Sequence, residues 1–186
     1  MASTPDSGTA GAATDGNAAE ASSAGVMTLE GRLTDRDDWT GPGRCSMERA
    51  LELVGTRSAM LLLREAYYGA RRFEDLARRA RITEAAAATR LRQLVADGLL
   101  ERRPYREDGQ RTRHEYLLTD KGRDLHAVFV ALVRWGDTHI EDGPVELAHA
   151  GCGAAVDVQV RCRAGHDVGL GETVVRVPRS PRAAPR

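Results

Sequence analysis

Apolar side chains begin to recur at helical spacing near Cys45, with Met47, Leu51 and Val54 on one stripe and Gly55 closing the segment. The pattern predicts a second helix over 58–68. Its centre, Met60-Leu61-Leu62-Leu63, is apolar all round and so belongs in the core, and Gly69 serves as its C-cap. A short third helix over 72–79 turns Phe73, Leu76 and Ala77 inward. Thr83 then offers its hydroxyl to the free N–H groups of a fourth helix, which has Ala87, Leu91 and Leu94 as its inner stripe and Gly98 beyond its end. Two helices joined by so short a turn form a helix-turn-helix unit.

Beyond Gly98 the period changes. Residues 99–105 and 112–118 read as two strands, and the Asp108-Gly109 pair between them is a hairpin signal. A hairpin directly after the second helix of such a unit is a wing. Thr119 then caps a long helix to 140, with Leu125, Val128, Phe129, Leu132 and Trp135 along one stripe. A small domain cannot cover that stripe alone, so a second copy of the chain is expected against it. Residues 141–177 read as a small C-terminal β module, with one strand from the alternation of Val156, Val158 and Val160 and another at Val175 and Val177.

The two ends lack periodicity. Residues 1–26 are Ala, Gly, Ser and Thr with scattered acids, and cannot bury enough surface to offset chain entropy. Met27 follows as a candidate start, and 28–44 is a polar arm ending in Gly41-Pro42-Gly43. The tail over 178–186 is Pro and Arg without a pattern. The expected organisation is therefore an arm over 1–44, a winged helix over 45–140, the module over 141–177, and the tail. The fold class is mainly α with a small β-hairpin, a winged helix-turn-helix plus a small C-terminal β module.

Charge sharpens the picture. The chain has 27 basic and 27 acidic residues, for a net charge of zero. The arm is acidic, whereas residues 71–113 hold twelve bases against seven acids. Local positive charge, nearly all Arg, suits phosphate and guanine, which the planar guanidinium can grip bidentately. A GC-rich genome accounts for the preference for Arg over Lys, but not for its placement. No run of about 18 apolar residues is present, so no membrane span is expected. Three cysteines do not make a disulfide framework, which suits a reducing cytoplasm.

Several stretches together resemble the HxlR-type regulators, MarR-like winged helices of bacteria. They are Cys45-Ser46-Met47-Glu48, Gly55-Thr56-Arg57, Gly69-Ala70-Arg71-Arg72-Phe73-Glu74-Asp75-Leu76 and Ile82-Thr83. Arg90-Leu91-Arg92-Gln93-Leu94, Gly98-Leu99-Leu100-Glu101-Arg102 and Tyr116-Leu117-Leu118-Thr119-Asp120-Lys121-Gly122 complete the set. The resemblance covers about 45–140 and implies a homodimeric repressor or activator on double-stranded operator DNA. It departs from the family after the first helix, where Gly55-Thr56-Arg57-Ser58 stands in place of the usual Gly-Gly-Lys-Trp. The missing Trp either leaves room for a small-molecule effector or is absorbed by repacking.

In such a fold the helix after Thr83 enters the major groove N-terminus first. Its outer face carries Glu84, Ala85, Ala88, Thr89 and Arg92, with Arg90 nearby and Thr83 at its start; these are the expected DNA-binding positions, with Thr89 and Arg90 the base-reading candidates. Arg92 reads equally as a phosphate contact or a solvated side chain. Arg71 and Arg72, before the third helix, are expected to grip phosphate, and Arg111 and Arg113 to act from the wing. Cys45 opens the first helix, at the electropositive end where a thiol is more reactive, and several HxlR relatives sense oxidants there. It is a redox-sensing candidate, with an inert helix-start cysteine as the alternative.

Further on, His149-x2-Cys152 and Cys162-x3-His166 pair two Cys with two His beside glycines, a pattern of structural Zn²⁺ sites. The competing reading is a hairpin with reduced thiols and no metal. No nucleophile–base set or phosphate loop stands out, so an enzyme is not expected. A winged-helix adaptor that binds protein and no DNA is the remaining alternative.

Overall fold

The computed structural model describes residues 25–37, 45–106 and 112–177. The wing tip with Asp108, Gly109 and Arg111, the Gly41-Pro42-Gly43 stretch and the two chain ends lie outside the described residues. The chain divides into two compact units, one spanning Gly41–Val158 and the other combining Met1–Thr40 with Gln159–Arg186.

The larger unit opens with four helices, α1 (Ser46–Val54), α2 (Arg57–Tyr67), α3 (Phe73–Ala80) and α4 (Glu84–Ala96). Thr56 caps α2 by accepting the Ala59 N–H at 3.2 Å, and Thr83 caps α4 by accepting that of Ala86 at 3.3 Å. The departure at Gly55-Thr56-Arg57-Ser58 is thus a working helix start. Ala59, Leu62 and Leu63 of α2, Leu76 and Ala80 of α3, and Leu91 and Leu94 of α4 are buried in one cluster. Tyr67 stacks on Phe129 with ring centroids 5.2 Å apart, and burial pushes its phenol above the ordinary tyrosine value.

The wing is an antiparallel pair, β2 (Leu100–Tyr105) and β3 (Arg113–Leu118), in register from Leu100↔Leu118 to Tyr105↔Arg113. The segment before α3 adds a short edge to it: Arg72 bridges Glu115, and the Arg71 carbonyl accepts the Tyr116 N–H at 2.8 Å.

The expected long helix is broken. Residues Asp120–Asp124 form α5 and His126–His139 form α6, with Leu125 between them at ψ −4°. The break coincides with two tertiary contacts at Gly122. The Tyr67 hydroxyl donates to its carbonyl at 2.6 Å, and a Cβ on Gly122 would stand 2.2 Å from the Leu99 carbonyl oxygen. The apolar stripe divides accordingly. Phe129 and Val130 are buried, while Val128, Leu132 and Trp135 stay exposed at i, i+4 and i+7.

α5 also closes the turn between α4 and the wing. Gly98 makes that turn in the left-handed region, at φ 72°. The Thr119 hydroxyl donates to the Gly98 carbonyl at 2.6 Å and accepts the Gly122 N–H at 3.1 Å. The Thr119 N–H reaches the Leu99 carbonyl at 3.2 Å, and Lys121 Nζ donates to the Asp97 carbonyl at 2.7 Å.

In the smaller unit, β1 (Thr28–Leu29) pairs in parallel with β4 (Val174–Val175). The Thr28 N–H reaches the Thr173 carbonyl at 2.9 Å, and Leu33, in the 3-10 turn Gly31–Thr34, is only 2% exposed. Part of the polar arm is therefore structure shared with residues 159–177. The boundary expected at 141 is also moved, because residues up to Val158 fall within the larger unit. The strand expected across Val156, Val158 and Val160 does not form; the backbone there makes only isolated bridges, Ala148↔Ala155 and Arg161↔Asp167. Two-residue strands more than 140 positions apart leave no local periodicity to read. No helix among the described residues is long and apolar enough to cross a membrane.

Two stability outcomes follow. Gly122→Ala should cost roughly 1–3 kcal/mol by overpacking against Leu99, read as a lower urea midpoint with unchanged slope. Deletion of 1–26 should leave the melting temperature unchanged, whereas deletion of 1–34 removes β1 and Leu33 and should strip amide protection from 170–176 by hydrogen exchange.

Candidate nucleic-acid interface

α3 and α4 meet through Arg81, whose left-handed backbone (φ 54°) turns the chain in the three residues before Glu84. Burying Ala87, Leu91 and Leu94 forces the opposite face of α4 outward, where Ala85, Ala86, Thr89, Arg92, Gln93 and Ala96 are exposed. This face is built largely of small residues, so another surface can approach its backbone closely. Arg92 lies along the helix, donating from Nε to the Ala88 carbonyl at 3.2 Å and from Nη2 to Thr89 Oγ1 at 3.3 Å. Gln93 is held by Asp97 at 2.9 Å.

The expected contacts fall into three groups. Ala85, Thr89 and Arg92 share the exposed face. Thr83 sits at its N-terminal edge with its hydroxyl committed to the helix cap. Arg90 flanks the buried stripe instead: it is half-buried, and its Nε is buried without a hydrogen-bond partner. Arg71 and Arg72 are engaged by the wing, Arg71 reaching Glu115 at 3.9 Å and Arg72 lying over the Tyr105 ring at 5.3 Å. Arg113 is exposed on β3, and Arg111 lies outside the described residues.

Two residues missed from the sequence join them. Arg102 and His114 are on the wing, with Arg102 Nη2 and His114 Nδ1 3.0 Å apart. Arg102 also lines a cleft of about 360 Å³ with Ala88, Arg92, Val95 and Tyr116. Strand parity could have found the pair, since they lie two residues from Leu100 and Tyr116 and so share the face that packs on the core.

A basic helix–turn–helix with an exposed small-residue face and a hairpin beside it defines a structural class. The profile of the HxlR-like helix-turn-helix family matches residues 53–144. Uncharacterized HTH-type transcriptional regulators of Mycobacterium tuberculosis and Mycobacterium bovis are 48% identical over 120 residues, covering 63% of this chain and 75% of each relative. This chain belongs to the HxlR-like family. Two solved structures agree. The candidate transcription factor PA1607 superposes with a TM-score of 0.66 at 31% identity, over 75% of this chain and 97% of that one. A second, PA1374 from Pseudomonas aeruginosa, has a TM-score of 0.53 at 33% identity, over 74% and 95%. The protein is a helix-turn-helix transcriptional regulator with a winged-helix fold.

The remaining candidates of this regulator are carried by segments other than α4. Cys45 is half-exposed and stands at the N-cap of α1, with no side-chain cap bond. His149 Nδ1 and Cys152 Sγ are 3.2 Å apart in one turn, and Cys162 Sγ and His166 Nδ1 are 3.5 Å apart in another. Among the described residues no group of three or more His, Cys, Asp or Glu is placed to hold a metal ion. The structure thus brings together two Cys–His pairs, and the four residues of the zinc reading are divided between the two compact units. Spacing along the chain brought each pair together, but it carries no information about how separate units meet.

Thr83→Ala should lower stability by about 1 kcal/mol through loss of the cap, with Thr83→Ser near wild type in urea denaturation.

Proposed function

We propose that this regulator binds operator DNA as a homodimer, with α4 in the major groove and the wing beside it. The observation that carries this reading is the pairing of an exposed, small-residue face on α4 with arginines on both the helix and the wing. Ala85 and Thr89 suit close approach to bases, while Arg71, Arg72, Arg111 and Arg113 suit the backbone. Arg90 stays a base-reading candidate on the flank of the helix.

Dimerisation is supported by apolar side chains left in water. Met47 and Leu51 of α1, and Val128, Leu132 and Trp135 of α6, are exposed, Met47 by 69% and Trp135 by 58%. Two-fold symmetry then asks for a near-palindromic operator. The regulatory reading is repression answering a small molecule or a redox signal, the latter through Cys45.

Selection from a random duplex pool should return a palindrome with half-sites about one helical turn apart. Recovery of no sequence, with no shift of any duplex at low salt, would leave a protein-binding adaptor. Arg90→Ala should weaken the selected site by roughly 1–3 kcal/mol if the side chain reads a base; equal losses on random DNA would remove that role. Leu132→Asp with Trp135→Asp should convert the dimer to monomer in sedimentation, and a dimer that persists would move the interface elsewhere.

A further inference from the structure

We propose that the cleft between α4 and β2 is a seat for one phosphate of the DNA backbone. Arg92 clamps it from the helix and Arg102 from the wing, and His114 positions Arg102. This rests on the DNA-binding reading above.

Among the described residues the cleft is basic and unneutralised. Ala88, Arg92, Val95, Arg102 and Tyr116 line its roughly 360 Å³, and no carboxylate is among them. Other arginines of the wing, of α5 and of the segment before α3 differ. Arg103 is paired with Glu101 at 2.6 Å, Arg123 with Asp120 at 2.5 Å, and Arg71 reaches Glu115 at 3.9 Å. An anion in the cleft would therefore meet two guanidinium groups on an otherwise apolar lining, where charge attraction is less screened than in bulk water.

Both arginines keep donors in hand. A guanidinium has five N–H groups and accepts nothing. Among the described residues Arg92 spends donors on Ala88 and Thr89 only, and Arg102 spends one on His114. Because Arg102 can only donate, a hydrogen bond between the two has Nδ1 of His114 as its acceptor. That bond fixes one corner of the Arg102 fork and leaves its other N–H groups for a phosphate oxygen, the geometry in which arginine holds phosphate best.

The position favours backbone over base. Arg92 sits in the third turn of α4, and a recognition helix that enters the groove N-terminus first has its later turns nearer the strand backbone. Arg102 is in the base of the hairpin, three residues from its end at Tyr105. A contact shared between helix and wing at this level sets register and carries no sequence information.

The test uses the full-length protein and the operator recovered by selection, with a single methylphosphonate placed at each backbone position in turn. Wild type should lose roughly tenfold at one position in each half-site, where a charged contact is removed. The Arg92→Ala/Arg102→Ala variant should bind less tightly and be indifferent to that substitution. Its slope of log K against log salt should be shallower by about one per half-site, equally on operator and random duplex. His114→Ala should behave like Arg102→Ala, and His114→Asn, which restores an acceptor, should recover most of the loss at unchanged melting temperature. Methylphosphonate sensitivity that persists in the double variant overturns the seat, and full affinity in His114→Ala overturns the positioning role. Absence of any duplex binding by wild type is a separate outcome that removes the DNA-binding reading itself.

Discussion

The short junction Asp97–Leu99 governs how the recognition helix and the wing are held to each other. A helix C-terminus leaves carbonyl oxygens without intrahelical donors. Here the Asp97, Gly98 and Leu99 N–H groups turn back to the Gln93, Val95 and Leu94 carbonyls, and α5 with the residue before it supplies donors to the carbonyls of the junction itself: Lys121 to Asp97, the Thr119 hydroxyl to Gly98, and the Thr119 N–H to Leu99. Gly122 packs where any side chain would strike the Leu99 carbonyl, so α5 lies directly on the junction. The carbonyls are satisfied by one short element, and the direction in which the hairpin leaves α4 is set by that element. The cleft between helix and hairpin exists because this angle is held.

The same logic divides α4 into two chemistries. Ala87, Leu91 and Leu94 are fully buried against α2 and α3, so the residues half a turn away have no choice but solvent or a ligand. Small outward residues make a poor core and a good contact surface. Arg90 stands at the boundary: its Nε is desolvated without a partner, which costs stability unless an acceptor arrives. The burial that holds α4 is what presents its outward face.

The smaller unit follows a different rule. Its strands are two residues long and parallel, and they join positions near the two ends of the chain. Such pairing contributes few hydrogen bonds and depends on Leu33 for burial. The two Cys–His turns are locally alike, each with a His Nδ1 and a Cys Sγ within 3.5 Å, yet they belong to different compact units. Their resemblance in sequence reflects similar turns and does not by itself make one centre.

The sequence by itself determined the helices, the caps at Thr83 and Thr119, the hairpin and the family. Those features arise from contacts within a few residues, which periodicity and turn chemistry report directly. It determined also which stripe of α4 faces inward, and hence that Ala85, Thr89 and Arg92 face outward. Tertiary structure alone decided the break at Leu125, because Tyr67 and Leu99 act on Gly122 from distant positions. It drew Arg71 and Arg72 to the wing, set Arg90 against the core, and placed Arg102 beside His114 and across from Arg92. It also paired the arm with the far end of the chain. Each of these depends on which surfaces meet once the elements pack, and spacing along the chain does not encode that.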